Sequence, residues 1–182
     1  MPTLEEQVVK YLTDAHSLEQ QVSRQLDTMI QTTENATLRG HMEHHKDETE
    51  HHKELLERRL AALDASPSAV KEAGQILGAV GAAATNLARK DNAGKNARDA
   101  FVAEHLEIAS YQLLERVAQF AGDHETVELA RQIRADEEAM AEKIASSWDI
   151  VAMESLRAEG IEASDIAARI PGGDPRMTSP DS

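Results

Sequence analysis

Apolar residues recur at steps of three and four along four long stretches of this chain, the repeat that lays one stripe down the side of a helix. Over roughly residues 4–32 the stripe reads Leu4, Val8, Leu12, Ala15, Glu19, Val22, Leu26 and Met29 or Ile30, with Glu19 the one charged member. Over roughly 36–63 the inward positions are Leu38, His41 or Met42, His45, Glu48, His52, Leu55 or Leu56, Leu60 and Leu63. A third stretch, roughly 96–121, turns Phe101, Glu104, Ile108, Tyr111, Leu114 and Ala118 inward. The fourth, roughly 124–148, does the same with Val127, Ala130, Ile133, Glu137, Met140, Ile144 and Trp148. Each stripe therefore carries at least one carboxylate where an unpaired charge is costly to bury.

Punctuation fixes how these helices connect. A short loop at Thr32-Thr33-Glu34-Asn35 offers Thr33 or Asn35 as a cap, Asp64-Ala65-Ser66-Pro67-Ser68 is a stop signal, and Gly122-Asp123 closes the third helix and caps the fourth. Residues 70–90 are rich in Ala and Gly and are read as one or two short helices crossing from the second long helix to the third. Their small residues Gly74, Gly78 and Ala82 suit either a dimer contact or packing against the chain's own bundle. Two short loops separated by one long connection fit an all-α, ferritin-like four-helix bundle made of two antiparallel hairpins and a helical crossover. The expected organisation is a bundle over 1–148, a short helical extension over 149–170 and a disordered tail over 171–182, where PGGDPRMTSPDS is polar and proline-rich.

Composition supports helix and narrows function. Aromatic residues make up only 3%, so the core must be built from Leu, Ile, Val, Met and Ala. Against 33 acidic residues stand 19 Lys and Arg, a formal charge of −14 that repels phosphate and argues against nucleic acid as a partner. Cysteine is absent, which removes disulfides, thiolate metal ligands and a Cys nucleophile. The first residues, MPTLEEQVVKYL, lack the basic and apolar regions of a signal peptide, and no apolar run is long enough to span a membrane. A cytoplasmic protein is expected.

The carboxylates carry the chemistry. Residues three and four apart share a helix face, so Glu48 neighbours both His51 and His52, and Glu104 neighbours Glu107. One Glu-x-x-His in so acidic a chain is more simply a solvated helix face. Glu19, Glu48, Glu104 and Glu137 falling together on four inward stripes point instead to a dinuclear metal site, with oxygen-rich ligands suited to Fe or Mn. The expected ligands are Glu19, Glu48, Glu104, Glu107 and Glu137 with His51 or His52: the Glu-x-x-His spacing favours His51, the stripe favours His52. The cluster His41, His44, His45, His51 and His52 could also supply an entry site or orient the ligands, with exposure as the alternative for His41 and His44; His16 is a weaker candidate for orienting the ligands, and His105 and His124 read as surface residues. Tyr111 shares the face of Glu104 and Glu107, as an electron donor or as a core tyrosine with a satisfied hydroxyl.

The segments Leu12-Thr13-Asp14-Ala15-His16-Ser17-Leu18-Glu19, Glu48-Thr49, Ala103-Glu104-His105-Leu106-Glu107-Ile108-Ala109-Ser110-Tyr111 and Asp136-Glu137-Glu138 resemble the YciE/YciF-type ferritin-like family of bacterial stress proteins, over about residues 3–147. That resemblance implies a bundle that forms a homodimer and holds two metal ions, with Fe(II) oxidation or peroxide detoxification inferred from the fold. The third helix is also similar to that of rubrerythrins, which implies that Glu104 and Glu107 both bind metal. One departure is plain: where ferritins and rubrerythrins carry Glu-x-x-His on the fourth helix, this chain has Met140, a poor donor for hard ions. The expected partners are iron (Mn possible) and O2 or H2O2. A manganese catalase-like activity and a metal-free helical interaction protein are the rival readings.

Overall fold

In a computed structural model, residues 1–67, 92–162 and 164–165 are described. They form five helices: α1 (Leu4–Thr32), α2 (Ala36–Ala62), α3 (Asn92–Ala121), α4 (His124–Ala145) and α5 (Trp148–Ala158). The crossover expected over 70–90, its Gly74, Gly78 and Ala82, and the tail 171–182 lie outside the described residues.

The helices start and stop where local chemistry dictates. Thr3 opens α1 with a capping box: the Glu6 amide donates to Thr3 Oγ1 at 3.1 Å, and the Thr3 amide to Glu6 Oε2 at 2.9 Å. Asn35 Oδ1 accepts from the amides of Thr37 and Leu38 at the start of α2. At the end of α2, Asp64 takes a positive φ of 54° and the Ala65 amide donates back to the Leu60 carbonyl at 2.9 Å. Gly122, at φ 73°, does the same for α3, with the Asp123 amide donating to the Ala118 carbonyl at 2.9 Å. Asp123 then caps α4 through the Thr126 amide at 3.0 Å and also holds Arg59 of α2 at 2.6 Å, which pins two helix ends together. The sequence pattern ran the fourth helix on to Trp148. The chain instead breaks at Ser146–Ser147, and Trp148 begins α5, with its ring edge-on to Phe101 at 5.6 Å.

Contacts between helices fix their directions. Tyr111 meets Glu19 while Asn96 meets Met29 and Thr32, so α3 runs antiparallel to α1. His45 meets Glu104 and Leu38 meets Ala97, so α2 and α3 run parallel. The end of α2 at Ala62 and the start of α3 at Asn92 therefore lie at opposite ends of the bundle, as in two antiparallel hairpins joined by one long connection. The result is the all-α ferritin-like architecture. No described helix is long and apolar enough to cross a membrane.

The core is split in two. Toward one end Val8, Leu12, Leu56, Leu60, Leu114, Ala118, Val127, Ala130 and Ile133 pack together. Toward the other Leu18, Val22, Leu26, Met29, Met42, Ala100, Ala103, Met140 and Ile144 do so, and α5 adds Val151 against Leu38 and Ala97. Between the two apolar clusters lies a layer of buried acids and imidazoles.

Candidate metal centre

Six side chains from four helices make that layer: Glu19 of α1, His45 and His52 of α2, Glu104 and Glu107 of α3 and Glu137 of α4, each no more than 1% exposed. They form two groups that share Glu137. His45, Glu104, Glu107 and Glu137 converge on one side and Glu19, His52 and Glu137 on the other, with donor atoms in each group within 4.8 Å of one another.

Their spacing is compatible with metal ligands. His45 Nε2 lies 2.9 Å from Glu104 Oε1, and His52 Nδ1 lies 3.0 Å from Glu137 Oε1, yet neither nitrogen is in a hydrogen bond. Two donors about 2.1 Å from one ion and at right angles to each other would lie roughly 3 Å apart. Eight of the nine buried side-chain atoms without a hydrogen-bond partner among the described residues belong to this layer, including both oxygens of Glu107 and both of Glu137. Buried polar atoms are nearly always satisfied, so such a concentration of orphans is compatible with a bound cation.

The rest of the site holds these ligands in place. Tyr111, fully buried, donates its hydroxyl to Glu19 Oε1, so the core-tyrosine reading holds and the hydroxyl is satisfied by a carboxylate of the cluster. His52 Nε2 faces Asp136 Oδ2 at 3.3 Å, which leaves Nδ1 turned into the cluster. His45 Nδ1 faces Glu48 Oε2 at 3.8 Å, and Glu48 is itself about one-third exposed beside His44 Nε2 at 3.4 Å.

Of the seven residues singled out in the sequence, Glu19, His52, Glu104, Glu107 and Glu137 are brought together. Glu48 sits on the rim, and His51 is exposed. His45 takes part where the ligand set did not include it. The reason is helical phase. Between His45 and His52 a stripe can step through 48 or 49, and the apolar positions Leu38, Met42, Leu56 and Leu60 turn Thr49 inward, where its hydroxyl donates to the His45 carbonyl at 3.0 Å. The seven-residue spacing of His45 and His52, flanked by those positions, was the available signal. Met140 packs in the apolar cluster, and the second imidazole comes from α2 rather than α4. His16 is buried but pairs with Glu57 at 2.9 Å, away from the layer.

The family described as "Domain of unknown function (DUF892)" matches residues 3–156. The chain belongs to the DUF892 family. Solved structures agree with the fold. YcfI of Rhodopseudomonas palustris, whose description proposes a structural role, is 25% identical with a TM-score of 0.69, over 79% of this chain and 94% of that one. The stress protein YciF of E. coli is 22% identical with a TM-score of 0.70, over 85% of this chain and 98% of that one. A dodecameric thioferritin related to bacterioferritin, from Bacteroides fragilis, is 21% identical with a TM-score of 0.63, over 81% of this chain and 88% of that one. The resemblance to YciE/YciF-type ferritin-like proteins thus holds across the bundle.

The electrostatics of this DUF892 chain follow from crowding acids in a dry layer. Burial pushes Glu19 and Glu107 above the ordinary carboxylate range, helped by the charges of their neighbours, Glu137 among them. Glu104 is raised to about 7 by burial, despite His45 beside it. Burial opposes the charge of His45 and His52, but the carboxylates around each outweigh it and hold both at about 10. Burial, with Glu19 next in importance, also raises the Tyr111 phenol well above its usual value. Without a cation, then, the layer keeps protons that a bound metal would displace. The buried His/Glu group is compatible with metal binding.

Proposed function

We propose that this is a non-haem, dinuclear metal-binding protein that holds iron in the buried layer and oxidises Fe(II) at the expense of O2 or H2O2. The observation that supports it is the set of eight orphaned donor atoms on four carboxylates and two imidazoles. Four ionised carboxylates carry a charge of −4, which two divalent cations balance while both imidazoles stay neutral. His45, Glu104, Glu107 and Glu137 would hold one ion, and Glu19, His52 and the shared Glu137 the other. Bound iron would supply the one-electron chemistry between Fe(II) and Fe(III), which an anionic ligand set favours toward the higher charge. The chain's own residues do the rest. Tyr111 fixes the Glu19 carboxylate and Asp136 orients the His52 ring, while the two apolar clusters keep bulk water from the layer.

The test is metal content, by elemental mass spectrometry, after expression with added Fe and Mn. Wild type should carry about two ions per chain, lost in Glu104→Ala and Glu107→Ala. A Glu48→Ala variant decides whether that rim carboxylate swings in to bind. Consumption of O2 with Fe(II), against O2 release from peroxide, separates iron oxidation from a manganese catalase-like activity. Protein without metal, or metal indifferent to both α3 variants, would leave a structural bundle of the kind proposed for the Rhodopseudomonas palustris relative.

A further inference from the structure

Methionine is unevenly placed in this bundle. Three of the chain's six methionines, Met29, Met42 and Met140, lie in the apolar cluster on one side of the layer of acids and imidazoles. The buried cluster on the other side has none. All three are similarly buried, at 4%, 6% and 4% exposure. A thioether fills irregular gaps in a core, and that alone accounts for Met29 and Met42.

Direction separates Met140 from the other two. Side chains of an α-helix lean toward its N-terminus. Met42 precedes His45 in α2, so it leans away from the layer, and its Sδ accepts a hydrogen bond from Thr33 Oγ1 at 3.5 Å, just past the end of α1. Met29 stands ten residues after Glu19, about 15 Å further along α1. Met140 follows Glu137 by three residues in α4, so it leans back toward the carboxylate that both donor groups share. Leu18 and Ala103, in the same cluster as Met140, directly precede Glu19 and Glu104. One thioether of the three is therefore aimed at the layer.

A sulfur so placed has a chemistry of its own. A thioether is a poor donor to a hard cation, so it stays uncommitted beside the ligands. It reacts with H2O2 without first losing a proton: an S–O bond forms as the O–O bond breaks. The sulfur is oxidised by two electrons, one oxygen becomes the sulfoxide oxygen, and the other is reduced and leaves as water. We propose, resting on the reading of the layer as a metal centre that meets peroxide, that Met140 is an oxidation site whose thioether takes an oxygen atom from H2O2 entering the loaded layer. The sulfoxide is the reversible product of methionine oxidation, so oxidant is taken up here without loss of a ligand.

Cleavage after Lys and Arg puts each methionine on a peptide of its own, so mass spectrometry reads all six separately. Iron-loaded protein and protein stripped by chelator are each given substoichiometric H2O2, with metal content measured on the same samples. In the loaded protein Met140 should gain oxygen ahead of every other methionine. Met29 and Met42, buried to a similar depth in the same cluster, should stay reduced. In chelator the order should follow exposure instead: Met1, fully exposed, and Met153, partly exposed, are oxidised first and Met140 is spared. Met140→Leu, a swap that conserves volume, should keep its fold and its metal while no buried methionine gains oxygen. Loaded protein in which the exposed methionines lead, in which Met29 and Met42 are oxidised along with Met140, or in which chelator makes no difference would overturn the proposal and leave metal binding standing. Protein that takes up no iron would sink both readings.

Discussion

Replacing Glu104 by glutamine should change how the metal-free protein responds to pH more than it changes the fold. In the folded chain Glu104 is held at about 7 against an ordinary value of 4.5, because its carboxylate is buried. A raised acid favours folding most below its unfolded value, and that advantage is lost as pH rises through the folded value. Over roughly 2.5 units at about 1.4 kcal/mol each, the loss between pH 4.5 and 7 is about 3 kcal/mol. For a chain of this size that is about 6–12 °C in melting temperature. Glutamine does not titrate, so the variant should gain on wild type by about this much across the window. The carboxylates whose values are lowered, such as Asp123 with Arg59 beside it and Glu48 beside His45, act below about pH 4.5. Their contribution is complete before the window opens. His45 and His52, held at about 10, contribute fully below 6.5 and lose that contribution above it, in the same direction. The assay is thermal denaturation by circular dichroism in chelator from pH 4.5 to 7, both proteins side by side. Parallel curves, or a variant that loses ground as pH rises, would show that burial does not hold Glu104 above its ordinary value and would refute the reasoning. Added Fe(II) or Mn(II) should then invert the ranking, because only wild type keeps the full ligand set.

Two further outcomes follow from the residues around the ligands. Asp136→Asn removes the anionic partner of His52 Nε2 and should weaken metal retention by about 10–100-fold, measured by competition with a chelator, with the melting point of the metal-free protein little changed. Tyr111→Phe leaves the Glu19 carboxylate without its donor and should destabilise the protein by about 1.5–3 kcal/mol in urea denaturation; a loss under about 0.5 kcal/mol would mean that Glu19 is satisfied from elsewhere.

Much of this molecule was legible in the chain because helix formation is local. The three- and four-residue steps, the capping side chains of Asn35 and Asp123 and the turn at Gly122 placed the first two long helices closely, while the third starts at Asn92 rather than near 96 and the fourth ends at Ala145 rather than near 148. A carboxylate interrupting an apolar stripe is also a local signal, which is why Glu19, Glu104 and Glu137 stand out in the sequence, with Glu107 joining them as the residue three after Glu104. What the chain left open was the rotation of α2 about its axis. From His45 to His52, a step through Glu48 and a step through Thr49 fit the helical repeat about equally. Only the fit of Leu38, Met42, Leu56 and Leu60 against the neighbouring helices turned Thr49, His45 and His52 inward and left Glu48 on the rim and His51 in solvent. The end of α4 was decided the same way: nothing local forbade a helix through Trp148, but its ring rests on Phe101 of α3 after a break at Ser146–Ser147. Sequence determines which side chains can share a face, because that depends on spacing alone. Tertiary structure decides which of two nearly equivalent faces is buried, because that depends on contacts with residues distant in the chain.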